Sequence, residues 1–152
     1  MVIDRLQQQR LEFKYLITEE TALAVRDFVS AYLEIDENGI TQQNLSYPIH
    51  SLYLDTDDLE SYWATINGEK NRFKLRLRFY ENRLNSPIYF EIKRRNDRAI
   101  LKQRGPVKRE AVKELLSGQM PDWDFMASRD PKHLTAVQRF CELMMEKRAS
   151  PK

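Results

Sequence analysis

Cysteine is almost absent. The single Cys141 excludes an internal disulfide and suits a reducing compartment. Only four glycines are present and no Gly-rich phosphate loop is formed, so nucleotide binding on a helix N-terminus has no support. Two histidines, His50 and His133, lack the spacing of a metal site or a catalytic dyad. One falls at an expected strand start and the other beside an expected helix start, where surface or capping roles suffice. No apolar run is long enough to span a membrane, and no charged-then-apolar leader follows Met1. The expectation is a soluble cytoplasmic protein forming one domain over residues 1–152, large enough to bury a core.

Acidic residues are scarce in one stretch only. The formal net charge of +2 conceals 13 Lys/Arg against 3 Asp/Glu between Arg72 and Arg109, a balance of +10. The remainder holds 12 against 20, a balance of −8. A bound partner is therefore expected to be anionic and held by the middle of the chain.

That stretch alternates. In Phe73–Tyr80 the residues Phe73, Leu75, Leu77 and Phe79 share one strand face, and Lys74, Arg76 and Arg78 the other. Ile88–Arg95 splits in the same way, with Ile88, Phe90 and Ile92 opposite Glu91, Lys93 and Arg95. A third run, Ile100–Arg104, adds Lys102 and Arg104. A cationic face on one strand is usually just solvated. Here it recurs on three consecutive strands without the interleaved acids that offset cross-strand repulsion. The pattern points to an anion site, with phosphate the obvious anion.

Around these strands the sequence predicts an α+β fold with a largely antiparallel sheet. Arg10–Tyr15 and Ser51–Asp55 read as strands. Thr18 caps a helix carrying Ala22, Val25, Val29, Tyr32 and Leu33. Asp57 or Asp58 caps a short helix ending near Gly68. Gly105–Pro106 is expected to end the third cationic strand and start a helix that stops at Gly118. A last helix, from about Thr135 to Lys147, buries Val137, Phe140, Cys141 and Met144. Tyr53 and Tyr89 fall on the less apolar strand faces, within reach of the cations.

The ordered set Arg10-x-Glu12-x-Lys14-Tyr15, Ser51–Thr56, Tyr62…Ile66-x-Gly68, Arg72-x-Lys74-x-Arg76-x-Arg78-x-Tyr80, Phe90-Glu91-x-Lys93 and Lys102-x-Arg104 resembles the VTC domain. That is the polyphosphate polymerase domain of the triphosphate tunnel (CYTH-like) superfamily. The resemblance covers about Arg10 to Arg104. It implies an antiparallel β-barrel whose lumen is lined by Lys, Arg and Glu, with flanking helices. Lys14, Arg76, Arg78, Lys93 and Lys102 would hold substrate phosphates, joined by Arg104, Arg10 and Lys74. It also implies a divalent cation, Mn or Mg, for which Glu12 and Glu91 are the candidate acids; each could equally neutralise neighbouring cations. Family tunnels have about eight strands, so this chain is expected to form a partial barrel lacking the C-terminal strands. Truncation, completion by a partner chain, and a remnant that binds without catalysing all remain open at this point.

Two function classes follow. One is phosphoryl transfer on polyphosphate, ATP or another triphosphate, as a polymerase or as a triphosphatase. The other is a binding-only module for polyphosphate or RNA on a basic sheet face. RNA is the weaker partner, because aromatics for base stacking are sparse among the cations. Because like charges repel, removing Arg76 and Arg78 together is expected to leave the fold intact or more stable.

Overall fold

The computed structural model describes residues 15–35, 39–40, 45, 47–80, 85–97 and 99–152. Two compact units are formed, one by Leu11–Pro48 and one built on Ile49–Lys152. The smaller unit carries helix α1, Glu19–Val29. Its N-cap is Thr18, in the extended conformation, whose hydroxyl accepts the Thr21 N–H at 3.2 Å. Glu19 and Glu20 in the first turn and Arg26 in the last complement the helix dipole. One turn apart, Phe28 and Tyr32 pack with ring centroids 5.4 Å from each other.

The larger unit is a sheet backed by helices. Strands β1 (His50–Asp55), β2 (Asn71–Phe79), β3 (Ile88–Asn96) and β4 (Ala99–Val107) follow one another, with helix α2 (Glu60–Ile66) between the first two. A 3₁₀ turn (Arg109–Ala111), helix α3 (Val112–Leu116), helix α4 (Pro131–Lys147) and the two-residue strand β5 (Ser150–Pro151) complete it. The sheet order is β4-β3-β2-β1-β5 and every pairing is antiparallel.

Register explains the core. Leu75 pairs with Leu54 and Ile92, and Leu77 with Leu52 and Phe90, so the apolar halves of the alternating strands meet on one face. Helix α4 covers that face with Val137, Phe140, Cys141 and Met144, all buried. Phe90 and Phe140 meet edge to face at 4.8 Å, and each such buried ring contributes roughly 1.5–3 kcal/mol. Cys141 is fully buried; burial, with Glu142 beside it, pushes its thiol up to about 11, so it is a core residue.

Several expectations need correction. Strand β4 does not stop at Gly105–Pro106 but runs through both to Val107. Glycine there is a packing requirement: a Cβ at Gly105 would lie 2.5 Å from the His133 carbonyl oxygen and 2.6 Å from Val137 Cγ2. Pro106 is tolerated because β4 is an edge strand, where a missing N–H breaks no ladder. Its carbonyl accepts the Ala127 N–H at 3.0 Å. Helix α4 begins at Pro131, not Thr135, because Asp130 caps it by accepting the Lys132 N–H at 2.9 Å.

The polar tail is also not inert. Ser150–Pro151 pairs with Asp55 and Leu54, and the Lys152 N–H reaches the Tyr53 carbonyl at 3.0 Å. The expected barrel is not closed among the described residues. β4 and β5 stand at opposite edges of an open sheet, and the isolated Val107–Met126 bridge lies beside β4. The expected strand Arg10–Tyr15 lies, apart from Tyr15, outside the described residues. No described helix is long and apolar enough to cross a membrane.

Candidate functional site

On the face away from α4, register lines the polar side chains into rows across the strands. One row reads Tyr53, Arg76, Glu91, Arg104. The next, two residues along each strand, reads Lys74, Lys93, Lys102. A third pairs Arg72 with Arg95, and on the far side of the first row Arg78 pairs with Tyr89. Neighbouring strands lie about 4.8 Å apart, so each row is a line of closely spaced groups.

The first row is internally braced. Glu91 is 1% exposed although it belongs to the polar face. Its Oε2 accepts Arg76 Nε at 2.7 Å and faces Nη2 at 2.5 Å. Its Oε1 faces Lys102 Nζ at 3.2 Å and Arg104 Nη1 at 4.0 Å. Burial alone would raise the Glu91 carboxyl. The Arg76 hydrogen bond, the Arg76 charge and Lys102 outweigh it and hold the group below its ordinary value. Arg76 also donates from Nη1 to the Tyr53 hydroxyl at 3.4 Å. Burial opposes ionisation of Tyr53 too, but Arg76, Lys74 and Arg78 prevail and lower its phenol. The Arg104 guanidinium lies 4.9 Å from the Tyr89 ring centroid.

The lysine row is different. Lys74 and Lys102 are half-buried and Lys93 is exposed. Glu91 approaches Lys102 alone; among the described residues no acid is paired with Lys74 or Lys93. Like charges directly opposite each other destabilise a sheet. Beside the braced row, Arg78 Nε is buried with no hydrogen-bond partner among the described residues. A multivalent anion laid over this face would relieve the repulsion and give that donor an acceptor.

Of the residues singled out from sequence, Lys74, Arg76, Arg78, Lys93, Lys102 and Arg104 share this one face, with Glu91 among them. Arg10, Glu12 and Lys14 lie outside the described residues. Among the described residues no group of three or more acids, His or Cys could hold a metal. Glu91, with three cations against it, does not by itself offer a divalent ion a site. His50 stacks on Phe79 at 4.6 Å, and His133 Nδ1 lies 2.9 Å from the Ser128 hydroxyl, so both serve local packing. Asp55 was missed as a helix cap. Its carboxylate, not that of Asp57 or Asp58, accepts the Thr56 and Ser61 N–H groups at 2.9 Å and that of Tyr62 at 3.0 Å. It thereby ties the start of α2 to the end of β1.

Comparison with protein families settles the lineage: a VTC domain profile matches residues 9–152. The chain belongs to the VTC domain family. This is the polyphosphate polymerase domain family, and the match runs past Arg104 through α3, α4 and β5. Comparison with curated proteins gave no match.

Proposed function

We propose that the cationic face of this VTC domain binds a linear phosphate chain, either inorganic polyphosphate or the triphosphate of ATP, and stabilises charge during phosphoryl transfer between them. The Lys74–Lys93–Lys102 row carries this reading. It places three cations side by side on adjacent strands, about 4.8 Å from strand to strand, where one linear phosphate chain can reach all three. Arg78 offers its unpartnered donor to the same chain. Arg76 is committed to Glu91 and acts by fixing the carboxylate that in turn orients Lys102 and Arg104. Lys14 and Arg10 would add phosphate contacts, and Arg and Lys together would neutralise the transferred group.

In this reading the open sheet is one wall of an antiparallel barrel that further strands, for instance from a partner chain, would close. A Mn or Mg ion would be held chiefly by phosphate oxygens, with Glu12 as the candidate protein acid. The openness of the described sheet favours one second reading, binding without transfer, because holding a chain needs one wall whereas transfer needs the reacting phosphates enclosed. RNA fits less well. The tyrosines at this face are already engaged, Tyr53 by Arg76 and Lys74, and Tyr89 by Arg104 and by the ring of Tyr80.

Calorimetric titration with tripolyphosphate tests the reading. Wild type should bind, and the Lys74→Ala/Lys93→Ala/Lys102→Ala variant should lose most of that affinity while remaining folded. Equal binding by both would overturn the assignment. Transfer of label from ATP to a polyphosphate primer separates the two readings.

A further inference from the structure

Strand parity puts the hydroxyls of Ser51, Tyr53 and Tyr89 on the cationic face, where Ser51 and Tyr89 pair with Arg78 and Tyr53 with Arg76. Of these three, Tyr53 is the one whose hydroxyl is bonded to a cation. Arg76 commits Nε and Nη2 to Glu91 and turns Nη1 to the phenol at 3.4 Å, so the buried carboxylate aims the donor. Lys74 Nζ lies 5.8 Å from the centroid of the same ring. The main chain is fixed as well, because Tyr53 pairs with Arg76 and its carbonyl accepts the Lys152 N–H at 3.0 Å. Even so the residue is 43% exposed, open to a reactant. Burial would raise the phenol, but the Arg76 hydrogen bond and the charges of Arg76, Lys74 and Arg78 hold it below its ordinary value. That favours the phenolate, the form that attacks phosphorus. Tyr53 is also diagonal to Lys74, about 7 Å away at the β1 side of the lysine row.

We propose that Tyr53 is a phosphoryl acceptor, taking the terminal phosphate of a nucleoside triphosphate laid over Lys74, Lys93 and Lys102. This acceptor role rests on the phosphate-chain reading above and adds a covalent step to it. The phenolic oxygen bonds to the terminal phosphorus and the bond from that phosphorus to the bridging oxygen breaks. The nucleoside diphosphate leaves with the electron pair, and the phenolic proton passes to solvent. The phosphotyrosine formed lies beside Arg76 and Lys74, so the cations that favour the phenolate also hold the ester.

Wild type, Tyr53→Phe and the Lys74→Ala/Lys93→Ala/Lys102→Ala variant are incubated with magnesium and ATP labelled on its terminal phosphate. Thermal unfolding checks that each is folded. Wild type should retain label through denaturation and mild acid, which strip bound nucleotide and phosphoramidates, and mass spectrometry should place it on Tyr53. The rate of labelling per chain should not change with protein concentration. Both variants should lose the label. Label on another residue would overturn the proposal, as would label on Tyr53 of the triple-lysine variant, which a contaminating kinase would produce. A wild type that binds tripolyphosphate in the calorimeter yet takes no label would overturn the acceptor role and leave the phosphate-chain reading standing. A wild type that does not bind tripolyphosphate would refute that reading, and the acceptor role with it.

Discussion

Replacing Arg76 with alanine should destabilise this protein, although repulsion on a cationic face argues the opposite. Glu91 is 1% exposed and both Arg76 contacts fall on its Oε2, at 2.7 and 2.5 Å. Removing one partner of a buried ion pair typically costs roughly 3–5 kcal/mol, because the other charge is left desolvated. Lys102 at 3.2 Å and Arg104 at 4.0 Å still face Oε1, so the cost here should be roughly 2–3 kcal/mol. In a chain of this size that lowers the melting temperature by roughly 4–12 °C. Lys93→Ala, by contrast, removes an exposed cation from an unrelieved row and should change stability by less than about 0.5 kcal/mol, if anything upward. Urea unfolding followed by circular dichroism measures both. Adding Glu91→Ala to Arg76→Ala should recover part of the loss, since the orphaned charge is then gone. An Arg76→Ala protein as stable as wild type would refute the brace.

Acid should act on the same carboxylate. The folded-state pKa of Glu91 is lowered, so its stabilising contribution is complete above the ordinary glutamate value of about 4.3 and disappears as pH falls through the lower folded value. Melting temperature should therefore fall more steeply below about pH 4.3 in wild type than in Glu91→Gln; parallel curves would contradict this. Gly105→Ala drives a methyl group to 2.5 Å from the His133 carbonyl and 2.6 Å from Val137. It should destabilise at the upper end of the roughly 1–3 kcal/mol typical of overpacking, and a neutral effect in thermal unfolding would show that α4 stands further off β4.

The sequence made the faces legible and left their alignment hidden. Alternation in Phe73–Phe79 and Ile88–Arg95 assigns each side chain to core or polar face, because strand period is fixed by backbone geometry. It cannot say that Lys74, Lys93 and Lys102 share one row while Glu91 stands in the next, since that depends on the registers of two hairpins. A slip of two residues would have put Glu91 between the lysines. The same limit explains why Arg72 and Arg95 were read as members of a motif and a strand face rather than as a pair. Gly105–Pro106 misled for another reason: both residues punctuate local structure, and only the proximity of α4 and the edge position of β4 make them strand residues. Asp55 was overlooked as a cap because it ends a strand, six and seven residues ahead of the helix N–H groups it collects.

The location of bound phosphate is the most direct test of the central claim. A crystal structure of the chain with tripolyphosphate should show phosphorus density across Lys74, Lys93 and Lys102, with an oxygen in hydrogen-bond reach of Arg78 Nε and the Arg76–Glu91 pair intact. Phosphate ordered elsewhere on the protein, with the lysine row left to solvent, would contradict the account.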